Sequence, residues 1–98
     1  MRDDADIVIV GAGSAGCALA ARLSEDPGLR VLLVEAGSAS LDPWLRIPIG
    51  YFKTVGHPRH DWRFETAPDP EMDGRRLPWP RGKGLGGSSL INGMLYLR

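Results

Sequence analysis

Cysteine is nearly absent: Cys17 stands alone in 98 residues. One thiol excludes an internal disulfide and any cysteine cage for zinc. Histidine is almost as scarce. His57 and His60 are separated only by Pro58 and Arg59, with no carboxylate or cysteine cluster at metal spacing. They are expected to be structural or solvent-facing, and no metal site is expected. Excess charge of either sign is also missing, since 12 Lys+Arg balance 12 Asp+Glu. A neutral chain has no general drive toward nucleic acid or an anionic membrane. The basic set Arg75, Arg76, Arg81 and Lys83 is offset by Asp69, Glu71 and Asp73, and no aromatic stacking platform accompanies it.

A membrane-length apolar run is lacking too. The uncharged stretch 7–21 falls short of the roughly 20 residues that span a bilayer. Nor does it read as a signal-peptide core, because Arg2 is outnumbered by Asp3, Asp4 and Asp6 where a basic start is needed. A soluble, cytoplasmic protein is the expectation. With 43 % hydrophobic and 24 % charged residues, the composition is that of a folded chain rather than a disordered one. The length suffices for one small domain.

What is present is concentrated in two glycine-rich stretches. The first lies in IVIVGAGSAGCALAARLSEDPGLRVLLVEAG, residues 7–37. Ile7 to Val10 is a β-branched run, the composition of a strand buried on both faces. Gly11-Ala12-Gly13-Ser14-Ala15-Gly16 then supplies G-x-G-x-x-G after a strand and at the opening of a helix, the context that gives the motif weight. Gly11 allows a sharp turn, Gly13 a close approach to a pyrophosphate, and Gly16 tight packing of helix on sheet. The uncapped amides and dipole of the helix N-terminus favour an anion there.

The helix is predicted from about Ser14 to Ser24, ended by Pro27-Gly28, with Cys17 packed on its apolar face. Val31 to Glu35 is predicted as a second strand, parallel to the first. Glu35 ends it, roughly 20 residues past the glycines, where a carboxylate can accept from a ribose diol. The same acid disfavours a 2′-phosphate.

Seven of the eight prolines fall after residue 42, so the second half is predicted to be loop-rich. Ile49 to Val55 is expected to form a short helix, with Trp44, Tyr51 and Phe52 as packing residues. Asp61 to Thr66 alternates like a strand, Pro68 to Gly74 turns, and Arg75 to Pro80 is expected to return as the second arm of a hairpin. The second glycine stretch, RGKGLGGSSLINGM, covers residues 81–94. It reads as a flexible loop opening a helix, with free amides able to face an anion or a ring edge; a plain turn with a serine N-cap fits as well.

Together the two stretches resemble the N-terminal part of the glucose–methanol–choline (GMC) flavin oxidoreductases. DADIVIVGAGSAGCALAARLSEDPGLRVLLVEAG is similar to the family's FAD-binding βαβ unit, DWRFETAP to its next recurring segment, and RGKGLGGSSLINGM to its flavin-loop signature. The resemblance implies an α/β fold: a partial Rossmann-like FAD-binding βαβ unit, a loop-rich β-hairpin segment, and a glycine-rich loop opening a helix. Residues 1–98 would then be the N-terminal part of an FAD-binding domain, incomplete and without a substrate domain.

By position, the resemblance puts the FAD pyrophosphate at Gly11, Gly13, Ser14, Ala15 and Gly16. It puts the adenosine ribose at Glu35 and the adenine beside Ala36. The run from Arg81 to Ser88, Gly86 and Gly87 included, would follow the pyrophosphate and ribityl chain, and Asn92, Gly93 and Met94 the isoalloxazine, with Trp62 near the cofactor. Some members attach FAD through a histidine just before the asparagine; here that position is Ile91, which implies non-covalent FAD. The family's catalytic histidine lies in a part not represented here, so no catalytic residue is expected within this chain. The implied reaction is hydride transfer from the CH–OH group of a small alcohol to flavin, in a full-length context. The alternatives are a small module binding NAD or another adenine nucleotide, an inactive truncated remnant, or a lyase on the same scaffold. Sequence leaves the oligomeric state open.

Overall fold

The computed structural model describes residues 4–97. Strand β1 is Ile7–Val10, helix α1 Ser14–Leu23 and strand β2 Val31–Val34. The strands pair in parallel from Ile7 opposite Val31 to Val10 opposite Val34. The Gly11 N–H carries the ladder one residue further, donating to the Val34 carbonyl at 2.7 Å. At the other end Asp6 accepts from the Arg30 amide at 2.8 Å and faces its guanidinium at 3.4 Å, which fixes the register where the strands begin. Arg2 and Asp3, on which the signal-peptide reading rests in part, lie outside the described residues.

Helix α1 forms because alanine and leucine fill it and no β-branched residue interrupts it. Ser24 closes it, its amide bonding the Ala20 carbonyl at 3.0 Å. Asp26 then accepts from the Gly28 amide at 2.8 Å and turns the chain toward β2. Gly16 has no alternative: a Cβ there would overlap the Gly11 carbonyl oxygen and touch Ile9. The expected close packing is therefore of the helix on its own entry turn and on β1.

Two expectations for this half fail. The sheet is not buried on both faces: Ile9 is buried, but Val8 is 56 % and Val10 84 % exposed. A two-stranded sheet with one helix has only one covered face. Cys17 is exposed rather than packed, its thiol donating to the Ala12 carbonyl at 3.3 Å.

The second half is loop-rich. Pro43–Leu45 and Pro48–Gly50 are single 3-10 turns, and the short helix α2 is Tyr51–Thr54. Trp44 and Phe52 are exposed there, not packed as expected; Phe52 stacks on Tyr51 and Lys53 lies 5.7 Å from the Trp44 ring. Strands β3 (Phe64–Glu65) and β4 (Pro78–Trp79) pair antiparallel, and single bridges at Asp61–Gly82 and Asp69–Arg75 extend the ribbon. Prolines deny the ribbon further ladder donors and keep its strands short. The stretch after the second glycine run makes only one 3-10 turn, Gly87–Leu90, in place of a longer helix. Gly86 is its N-cap, without a side-chain cap bond, so neither serine serves as that cap. No helix among the described residues is long and apolar enough to cross a membrane.

Candidate functional site: a cleft between two glycine-rich stretches

Far apart in sequence, the two glycine stretches are joined in space. The Gly86 N–H donates to the Ala12 carbonyl at 2.7 Å. A Cβ on Gly13 would come within 3.8 Å of Gly87 Cα, so the two main chains pass against each other. A second close crossing lies at Gly37, where any side chain would overlap the Gly84 backbone. Each crossing needs glycine on one partner: a Cβ on Gly87 would run into Gly13 Cα and one on Gly37 into Gly84, whereas one on Gly13 would only touch Gly87.

A cleft of ≈ 460 Å³ opens beside this junction. Gly11, Gly13, Glu35 and Ala36 line it from the βαβ unit, and Trp62, Arg81, Gly87 and Ser88 from the second half. Its size is that of a ligand site. The floor at Gly11 is open main chain, with nothing within 4 Å of where a Cβ would stand. Above Gly13 the α1 N-terminus carries no side-chain cap and no acidic residue in its first turn. Bare amides and a glycine floor suit a phosphate group. Ser14, Ala15, Gly16 and Gly86 adjoin this wall without forming its surface.

Glu35 does more than end β2. One carboxylate oxygen accepts from the Ala12 amide and the other from the Gly37 amide, each at 2.8 Å. It therefore stitches the first glycine turn to the chain leaving β2. These bonds, Gly37's foremost and Ala12's next, hold its carboxyl below the ordinary carboxylate value. Each oxygen keeps acceptor capacity for a ligand hydroxyl.

The opposite wall is aromatic and basic. Trp62 and Phe64 stack nearly parallel, 5.8 Å apart at 5°, and Lys83 Nζ sits 4.5 Å from the Trp62 ring. Arg81 lines the cleft while its guanidinium rests 5.2 Å from the Trp79 ring. Sequence reasoning missed Phe64, Val10 and Val34, which also line the cleft; Gly82 lines it too, within the run 81–88 that the resemblance placed along the cofactor. Phe64 was findable, since it follows Trp62 by two residues in an alternating stretch.

Asn92, Gly93 and Met94 are not brought to this cleft. Asn92 and Met94 line a separate cavity of ≈ 80 Å³ with Arg46, Tyr51 and Ser89. There Asn92 Oδ1 accepts from the Met94 amide at 3.1 Å. Ile91, just before them, is buried. No group of three or more metal-ligating side chains occurs among the described residues. His60, 1 % exposed, faces Asp42 at 3.0 Å, and His57 stacks on it.

A parallel βαβ unit, a glycine turn at the helix entry and a carboxylate ending the second strand define a dinucleotide-binding α/β protein. Known proteins narrow this. A family model described as lycopene cyclase protein matches residues 6–57, the βαβ unit and the chain just after it, and stops short of the second glycine stretch. Over its whole length the chain is 53 % identical to an oxygen-dependent choline dehydrogenase of Xanthomonas campestris pv. campestris, spanning 18 % of that protein. Pyridoxine 4-oxidase from Mesorbium loti superposes with a TM-score of 0.88 at 47 % identity, over 97 % of this chain and 18 % of that one. Formate oxidase from Aspergillus oryzae RIB40, solved in work on its FAD modification, superposes at 0.78 with 38 % identity, over 90 % of this chain and 16 % of that one. The chain belongs to the glucose–methanol–choline oxidoreductases, FAD flavoproteins, and corresponds to their N-terminal FAD-binding region. It spans about a fifth of the length of the relatives it matches.

Proposed function

We propose that the cleft takes FAD, held non-covalently, as the cofactor site of an oxidoreductase acting on the CH–OH group of an alcohol. The Gly86–Ala12 bond carries the reading, because it turns two separate glycine stretches into one continuous main-chain wall. Gly11, Gly13 and the α1 amides of Ser14, Ala15 and Gly16 receive the pyrophosphate, where negative charge meets unpaired N–H groups. Glu35 accepts from the adenosine ribose with the acceptor capacity its two main-chain bonds leave free, and Ala36 adjoins the adenine. Arg81, Gly86, Gly87 and Ser88 follow the pyrophosphate and ribityl chain, and Trp62 closes the opposite wall. The resemblance assigns the isoalloxazine end to Asn92, Gly93 and Met94, which lie outside the cleft beyond the Gly87–Leu90 turn, so that end of the cofactor extends past the cleft. Ile91 carries no nucleophile, so no bond from that position to flavin forms.

When bound, FAD supplies the hydride acceptor; the protein orients it and tunes its charge. Choline and pyridoxine, named in two of the similar proteins, are both alcohols, which supports a CH–OH substrate. We assign no catalytic base to this chain: His60 is buried against Asp42, and His57 is stacked on His60. The chain is read as a cofactor-holding region that works with further sequence, in a soluble protein of the cytoplasm. Titration with FAD, followed by quenching of flavin fluorescence and by the visible absorbance of the isolated protein, tests the reading. Saturable binding of FAD that NAD fails to displace is expected. Tight binding of NAD with no uptake of flavin overturns it in favour of an adenine-nucleotide module.

A further inference from the structure

Asp61 is 3 % exposed, and among the described residues no ion pair reaches its carboxylate. Among the described residues its hydrogen bonds come from main chain alone. Oδ2 accepts from the Gly56 amide at 2.7 Å, and Oδ1 from the Arg63 and Arg81 amides at 2.8 and 3.1 Å. These donors come from three separate segments: the chain leaving α2, the approach to β3, and the return from β4. Burial pushes the Asp61 carboxyl up, but the three amides outweigh it and hold the group ionised, below the ordinary value.

One of the donors belongs to the cleft wall and a second lies in chain between two of its residues. Arg81 lines the cleft, and Arg63 sits between Trp62 and Phe64, which both line it. The Trp62 amide in turn donates to the Arg81 carbonyl at 2.9 Å. Arg63 has φ 54°, a left-handed conformation uncommon for a residue with a side chain. Its amide bond to Asp61 Oδ1 is what holds it.

We infer that Asp61 is a positioning residue for the cofactor cleft: its carboxylate gathers the Gly56, Arg63 and Arg81 amides and so fixes the aromatic and basic wall opposite the glycine floor. The inference rests on the FAD reading of that cleft. A carboxylate is required because both oxygens must accept. In Asp61→Asn the single amide oxygen satisfies either Gly56 or the Arg63 and Arg81 pair, and the NH2 group then faces N–H donors.

The test is FAD titration of the full chain and of Asp61→Asn, with far-UV circular dichroism and the visible dichroism of bound flavin. Asp61→Asn is expected to bind FAD about tenfold more weakly or worse, with altered flavin dichroism and unchanged far-UV signal. Adding Arg63→Gly is expected to recover part of the loss, because glycine adopts the left-handed conformation without being held. Should Asp61→Asn fail to fold, amide hydrogen exchange of the unsubstituted chain decides. FAD is then expected to raise protection at Gly56, Arg63 and Arg81 more than at Gly28, in the turn after α1. FAD affinity undiminished in Asp61→Asn, or no selective protection at the three amides, overturns the inference alone. Absence of FAD binding by the unsubstituted chain overturns it together with the reading of the cleft.

Discussion

The regular half of the molecule and the irregular half are held by different forces. In β1–α1–β2 ladder and helix bonds set the course of the main chain, yet α1 buries no residue and Val8, Val10, Leu32 and Val34 stand 44–84 % exposed. In the loop-rich half the buried polar residues Thr54, His60 and Asp61 take over: Thr54 bonds back to the Gly50 carbonyl at the start of α2, while His60 and Asp61 tie loops together through Asp42 and the Gly56 amide. Regularity and burial are thus separable. A ladder can set a strand's place without much apolar area leaving water, and a polar side chain can anchor loops that have no ladder.

The point where the halves depend on one another gives the largest expected effect. Gly16→Val drives a side chain into the Gly11 carbonyl and against Ile9, so α1 must move off the turn that floors the cleft. We expect a loss of roughly 3 kcal/mol or more, read as a lowered urea midpoint, together with loss of FAD binding. A variant that melts like the unsubstituted protein would show that the helix entry is not the tight joint described.

Next comes His60→Ala, which tests the irregular half. An ionised carboxylate only accepts, so His60 Nε2 carries the proton in its 3.0 Å bond to Asp42. Removing the ring leaves a cavity beside an Asp42 that keeps only its bond from the Trp44 amide. The expected cost is about 2 kcal/mol. A cost below about 0.5 kcal/mol would mean that buried polar bonds do not anchor the loops, and the contrast between the halves would fail.

How much of this was legible in the sequence follows the same division. The βαβ unit could be read almost residue by residue, because strand composition, glycine spacing and the Pro27-Gly28 stop are all local signals. Its burial could not, since Ile7 to Val10 has the same composition whether or not a second layer covers it. In the other half the hairpin was visible from alternation and prolines. The His60–Asp42 pair spans 18 positions and the Asp61–Arg81 bond 20, and no periodic pattern marks either. Of the residues lining the cleft, Gly11, Gly13 and Glu35 were read from spacing, and Ala36, Arg81, Gly82, Gly87, Ser88 and Trp62 through resemblance. Asn92 and Met94 line a different cavity because the chain after Leu90 leaves the 3-10 turn and runs past Tyr51.

A smaller effect is expected from Glu35→Gln, which keeps the shape and removes a charge. One of the Ala12 and Gly37 amides then faces an NH2 group, at about 1 kcal/mol. The pH dependence has a definite sign. Folding depresses this carboxyl, so its contribution is present above the unfolded value of 4.5 and is lost as pH falls through the folded one. Stability measured from pH 6 down to pH 3 is therefore expected to fall less steeply in Glu35→Gln. Parallel acid limbs would show that the two main-chain bonds do not favour the charged form.

The smallest effect sharpens the comparison most. Val8→Thr replaces a methyl by a hydroxyl at a position 56 % exposed, and both residues are β-branched, so strand propensity is nearly kept. With one face of β1 in water, the hydroxyl stays solvated and the change is expected to cost less than about 0.5 kcal/mol. Burial would reverse this, because a hydroxyl without a partner costs roughly 1–3 kcal/mol. Val8→Thr is thus a gauge of what covers the sheet. Measured in this chain and again in a longer polypeptide that contains it, a rise in cost would show that added sequence covers β1 and would bring the regular half under the same rule as the loops.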